Sequence, residues 1–193
     1  EIHFKNDWIR KETGYKKFEN FWLEYKNEED KLIIKKLISE FKHLTTNEAR
    51  VIVKKELKKI IDKWDLKPCN TIFVSFAKHK YADGSTILLN LLKPVLEELE
   101  GNWLEANLYS RIHYGIERIK KGGNSEYGIE LENVVIIDDF IGTGGTAIKI
   151  HNLVKNAIDN QNKKIELKVF SLAAMKKGLE NARELNIHAC ISL

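Results

Sequence analysis

The chain has 193 residues, 43% of them hydrophobic and 31% charged, with a formal net charge of +4. That is ordinary globular chemistry for one domain with an extension or for two small ones. It excludes a strong polyanion magnet, and no apolar run approaches the roughly 18 residues of a membrane span. There is no signal peptide, and Cys69 and Cys190 lie far apart in no metal or C-x-x-C spacing, which fits a reducing, cytoplasmic setting. Glu1 is not a natural start, so the chain reads as a piece of a longer protein.

Residues 1–65 read as helical, with no β-rich run. Phe18, Phe21, Trp22 and Tyr25 recur at helical spacing, and Leu32, Ile33, Leu37, Ile38 and Phe41 form a second apolar stripe. Thr46, Asn47 and Glu48 open another helix carrying Val51, Val53, Leu57, Ile60, Ile61 and Trp64. Trp8, Trp22 and Trp64 are expected to anchor this extension, a hood or partner surface, on the remainder. Lys54, Lys55, Lys58 and Lys59 make a basic stripe on one helix, read as a solvated face rather than a nucleic-acid contact.

The boundary is expected at 66–70. Beyond it, strands at 71–76, near 103–109, and at 133–138, 165–172 and 187–193 alternate with helices at 85–100, 146–160 and 175–186. Pro94 should kink or split the helix that contains it. The pattern predicts an α/β domain over 66–193 with a doubly wound, mainly parallel sheet of about five strands. Lys120, Lys121, Gly122 and Gly123 sit in the most loop-like stretch, which suits either a phosphate-covering lid or a plain surface loop.

The most informative stretch is VVIIDDFIGTGGT over 134–146. Four apolar residues, all of them β-branched, suit a buried central strand, which is expected to stop at Asp138 and Asp139. Carboxylates there emerge at the carboxyl edge of the sheet, where open α/β folds place ligands. Gly142, Gly144 and Gly145 let several N–H groups turn toward one point, Thr143 and Thr146 add hydroxyls, and a helix start aims its positive end at the loop. This is an anion site beside carboxylates, suited to a phosphorylated sugar. No Gly-Lys-Ser follows, so a P-loop is excluded. A dinucleotide fingerprint with Ala147 in its sixth position remains open, as does a purely structural turn.

This stretch resembles the motif of type I phosphoribosyltransferases: apolar strand, acidic pair, two apolar residues, one variable position, then Thr-Gly-x-Thr. The resemblance implies binding of 5-phosphoribosyl 1-diphosphate. Asp138 and Asp139 would face the ribose hydroxyls and, through water, Mg2+. Thr143, Gly144, Gly145 and Thr146 would hold the 5′-phosphate, with Gly142 opening the turn. The Phe-Ile-Gly variant looks most like phosphoribosyltransferase-like domains of prokaryotic conflict and defence systems. In 6-oxopurine enzymes of the family an aspartate stands where this chain has Gly142, so that branch is not implied. Orotate-like, pyrimidine, adenine or unusual acceptors stay open, as does a chain that binds its ligand without turnover.

By position after the first strand, Lys78, His79, Lys80 and Ser85 would grip the diphosphate; the alternative is a solvated Asp-Gly corner with Ser85 capping the helix. Arg111 and His113 lie upstream of the motif as lesser candidates. The other histidines, among them His3, His43, His151 and His188, have no partner at metal spacing. The expected partner is a small phosphoribosyl ligand, with a second copy or another protein on the N-terminal helices.

Overall fold

The computed structural model describes residues 12–40, 44–77, 83–99, 101–121, 129–161 and 164–193. Two compact units divide the chain, Glu1–Thr45 and Thr46–Leu193. The first holds helices α1 (Glu12–Glu24) and α2 (Glu28–Glu40). Both expose large apolar side chains, among them Leu23, Leu32 and Leu37 at 69%, 65% and 64%.

The second unit opens with α3 (Thr46–Lys63) and continues as β1 (Thr71–Ser75), α4 (Gly84–Glu98), β2 (Leu108–Tyr109), α5 (Ile112–Lys120), β3 (Asn133–Ile141), α6 (Gly145–Asp159), β4 (Glu166–Ala174), α7 (Lys176–Asn181) and β5 (Ile187–Ser192). The five strands form one sheet in the order β2-β1-β3-β4-β5, and every pairing is parallel. This is the doubly wound α/β architecture that the sequence predicts. Strand alternation divides the core between two faces. Ile72, Val74, Val134 and Ile136 pack with Ile112 and Ile119 of α5 and with Ala147, Ile150 and Val154 of α6. Phe73, Val135, Ile137 and Phe170 pack on the other face with α3 and α4.

Expected as part of the helical extension, α3 buries its stripe of Val53, Leu57, Ile60 and Trp64 against the sheet. His188 of β5 ties the same helix down. Its Nε2 lies 3.0 Å from Glu56 Oε2, and its ring stacks on Phe170 and meets Trp64 edge-on.

Other boundaries also differ from the sequence reading. Pro94 lies inside α4 without splitting it, because Leu92, Val95 and Leu96 are all buried on the sheet and that packing outweighs a lost backbone bond. β3 does not stop at Asp138: pairing continues through Asp138 with Ser171, Phe140 with Ala173 and Ile141 with Ala174. The strand expected over 103–109 shrinks to a 3₁₀ turn and the two-residue β2, and α5 follows where no helix is predicted. Asn107 explains the first change. Its buried side-chain amide donates to the carbonyls of Pro68 and Thr71, at 2.7 Å each, and its Oδ1 accepts from Leu104 N–H. The amide thus takes up backbone groups that a longer strand would need.

Candidate active site

A parallel sheet ordered 2-1-3-4-5 winds in opposite directions from β1 and β3, so the loops after these two strands diverge and leave a crevice. The chain puts its acidic pair there. A cleft of about 470 Å³ is lined by Phe76 at the end of β1, Asp83 and Gly84 at the start of α4, residues 138–144, and Thr146, Ala147 and Ile150 of α6.

On the β3 side Asp138 is 8% exposed, Asp139 is half-buried and Phe140 stands out at 47% exposure. Burial pushes the Asp138 carboxyl up to about 7, and the charges of Asp139 and Asp83 push the same way. Near neutral pH the protonated and ionised forms of Asp138 are therefore close to balance, and a cation or donor beside it favours the ionised one. The Asp139 carboxylate lies against Gly84, where a side chain's first carbon would stand. The start of α4 and the end of β3 meet at that contact.

The glycine-rich end of the cleft follows from its local sequence. Gly144 adopts φ +83 and is the N-cap of α6. The first intrahelical bond runs from Ile148 N–H to Gly144 O at 3.0 Å, so the N–H groups of Gly145, Thr146 and Ala147 precede it at the positive end of a 15-residue helix. Thr143, Gly145 and Thr146 are exposed, with Gly145 opening the helix. The loop rests on α7. A β-carbon on Gly178 would collide with Gly142 O, and one on Gly144 would meet Gly178 O at 2.7 Å. Asn181 Nδ2 donates to Thr143 O at 2.9 Å, and Met175 N–H donates to Ile141 O at 2.9 Å.

The structure thus brings together Asp138, Asp139, Gly142, Thr143, Gly144 and Thr146 in one cleft. Lys78, His79 and Lys80 lie outside the described residues. Ser85 does not line the cleft: it is fully buried, its N–H and hydroxyl donate to Asp83 Oδ1, and its Oγ is 2.8 Å from Ser75 Oγ. The helix cap is Asp83 rather than Ser85. Arg111 precedes α5 with its guanidinium 5.8 Å from the Tyr114 ring centre, and neither it nor His113 is among the cleft residues. Among the described residues no group of three or more Asp, Glu, His or Cys is arranged to hold a metal unaided. No described helix is long and apolar enough to cross a membrane.

Four contributors were not anticipated. Asp83 sits in an Asp-Gly-Ser run whose capping pattern was there to be read. Phe140 follows from the two-residue alternation of β3. Gly178 and Asn181 come from a helix more than 30 residues beyond the loop, and no local signal marks them.

A parallel sheet with this cleft at its divergence defines a doubly wound α/β domain whose glycine loop adjoins an acidic pair. The PRTase-CE family model matches residues 18–193, and the chain belongs to that family; its α/β unit is a type I phosphoribosyltransferase-like domain. Among solved structures the chain is similar to hypoxanthine-guanine phosphoribosyltransferase from Schistosoma mansoni in complex with IMP. The identity is 16%, the TM-score 0.49, and the match covers 79% of this chain and 68% of that one. It is also similar to adenine phosphoribosyltransferase from Thermoanaerobacter pseudethanolicus, at 18% identity and TM-score 0.41, covering 76% and 82% of the two chains. No curated protein sequence matches.

Proposed function

We propose that the chain binds a phosphoribosyl ligand, with the 5′-phosphate on the loop 142–146 and the ribose hydroxyls on Asp138 and Asp139. With 5-phosphoribosyl 1-diphosphate and magnesium, it transfers the phosphoribosyl group to a base. The observation that carries this reading is the acidic pair and the α6 N-terminus lining one cleft at the β1/β3 divergence.

The chemistry asks little covalent work of the protein. As the C1–O bond breaks, the ribose gains cationic character, and carboxylates held beside it favour that charge. Asp139 orients the hydroxyls from the tight corner at Gly84. Asp138, one residue back on β3, gives up its proton when a compensating cation arrives. Hard carboxylate oxygens suit magnesium, which keeps several waters and takes its remaining ligands from substrate oxygens. Magnesium would neutralise the leaving diphosphate.

Calorimetry on wild type and on Asp138→Asn/Asp139→Asn tests this reading. With 5-phosphoribosyl 1-diphosphate as the ligand, binding that magnesium strengthens and the double variant loses supports it; binding indifferent to magnesium, or unchanged in the variant, sinks it. A second reading, a ligand-binding sensor or effector without turnover in a regulatory or defence system, is favoured by one observation. Among the described residues no cation lines the cleft to receive a leaving diphosphate. Diphosphate release over a broad panel of bases separates the two. The exposed apolar faces of α1 and α2 support a role for the N-terminal helices as a surface for a partner protein or a second copy.

A further inference from the structure

The cleft is electrically two-ended. At one end the N-terminus of α6 and the hydroxyls of Thr143 and Thr146 favour an anion. The ionisable side chains among the described lining residues are Asp83, Asp138 and Asp139, all of them acids, and no base stands among them. A second helix, the 15-residue α4, also begins at this cleft and would offer an anion its own positive end. Asp83 has already taken that place. Its Oδ1 accepts the Ser85 N–H at 2.9 Å and the Ser85 hydroxyl as well, and Ser85 is closed off from the cleft beneath it.

On the phosphoribosyl-ligand reading above, the 5′-phosphate lies at α6 and the 2′ and 3′ hydroxyls at the acidic pair. C1 is on the far side of the ribose ring from C5, so its substituent falls toward Gly84 and Asp83, which abut Asp139. We propose that Asp83 is a specificity-determining residue. It makes the cleft select ribose 5-phosphate ligands with a neutral or cationic C1 substituent, nucleoside 5′-monophosphates among them, over those carrying an uncompensated diphosphate at C1. A diphosphate is then admitted only with its charge neutralised by a divalent cation. Removing one like charge a few ångströms from a phosphate is worth on the order of tenfold in affinity after screening.

The test is calorimetry on the full chain in a metal chelator, reading the ratio of Kd for 5-phosphoribosyl 1-diphosphate to Kd for ribose 5-phosphate. The expected wild-type ratio is about ten or more, and Asp83→Asn should lower it by about tenfold. Asn and Ser both cap helices, so Asp83→Ser provides a second uncharged variant should Asp83→Asn fold poorly. A wild-type ratio near one, as when residues 78–82 supply the missing positive charge, overturns the proposal. So does a ratio that neither variant changes. If wild type binds neither ligand, with or without magnesium, the phosphoribosyl reading itself fails and this inference falls with it.

Discussion

The Asp139 carboxylate fills the space where a β-carbon on Gly84 would stand, so the loop after β1 and the end of β3 are in contact at the floor of the cleft. Gly84 is the first residue of α4, and the atoms it would strike are the far end of a side chain that can swing away. Gly84→Ala should therefore change stability by less than about 1 kcal/mol, since alanine also favours the helix. It should weaken ribose 5-phosphate binding by about tenfold or more, because Asp139 is moved off its position. Thermal unfolding and calorimetry on one preparation check both halves. A variant that loses stability while keeping affinity would show that the contact is only packing.

The loop rests on α7 through main chain as well as through a side chain. A methyl at Gly178 meets the carbonyl oxygen of Gly142, and backbone cannot turn aside as a carboxylate can. Gly178→Ala should cost about 1–3 kcal/mol and impair phosphate binding. Asn181→Ala removes only the 2.9 Å bond to Thr143 O, worth about 1 kcal/mol, and should weaken phosphate affinity a few-fold with the fold intact. Denaturant titration with inorganic phosphate binding reads both variants, and identical behaviour of the two would contradict the ranking.

Asp138 gives stability a defined pH slope. Its carboxyl is raised from 3.8 to about 7 in the folded state, chiefly by burial, so between these values the folded chain binds a proton that the unfolded chain has released. The resulting stabilisation is complete below the lower value and is lost as pH rises through the upper one. Between pH 5 and 8 wild type should lose about 1–3 kcal/mol relative to Asp138→Asn. Urea unfolding of both proteins at the two pH values measures it. Parallel slopes would mean that Asp138 is already ionised in the free protein.

Where the chain is cut decides what survives. Deleting residues 1–65 removes Val53, Leu57, Ile60 and Trp64 from the core on one face of the sheet, and the product should aggregate. Deleting residues 1–45 leaves the compact unit Thr46–Leu193 whole and should give a folded protein that keeps its affinity for ribose 5-phosphate. Circular dichroism and size-exclusion chromatography distinguish the outcomes. Nucleic-acid binding by the full chain should be weak, since Lys54 already pairs with Glu98 and Lys59 with Glu56. Tight binding with a steep salt dependence would overturn that expectation.

What could be read from the sequence follows how local each feature is. The strand, acidic pair, glycine loop and helix of the motif are contiguous, so residue order alone places Asp138 and Asp139 beside an anion loop. The parallel sheet follows from strands that alternate with helices. The end of β3 is not legible locally because β4 keeps pairing with it beyond the acidic pair. The helix α5 is hard to read because its short run, IHYGIERIK, has a glycine as its fourth residue. Ser85 reads as a ligand residue because a serine at a helix start usually offers its groups outward. Here the neighbouring Asp83 takes both, and only the fold shows that Ser85 is buried. The support from α7 depends on the two ends of β4 and β3 lying side by side, which no window of sequence contains.

The most direct test of the central claim is a crystal structure of the full chain with ribose 5-phosphate and magnesium. The expected result is the phosphate against the N–H groups of Gly145 and Thr146 and the hydroxyls of Thr143 and Thr146, with the ribose hydroxyls within hydrogen-bond distance of Asp138 or Asp139. A phosphate bound away from the α6 N-terminus, or a ribose that leaves both aspartates untouched, would contradict the claim.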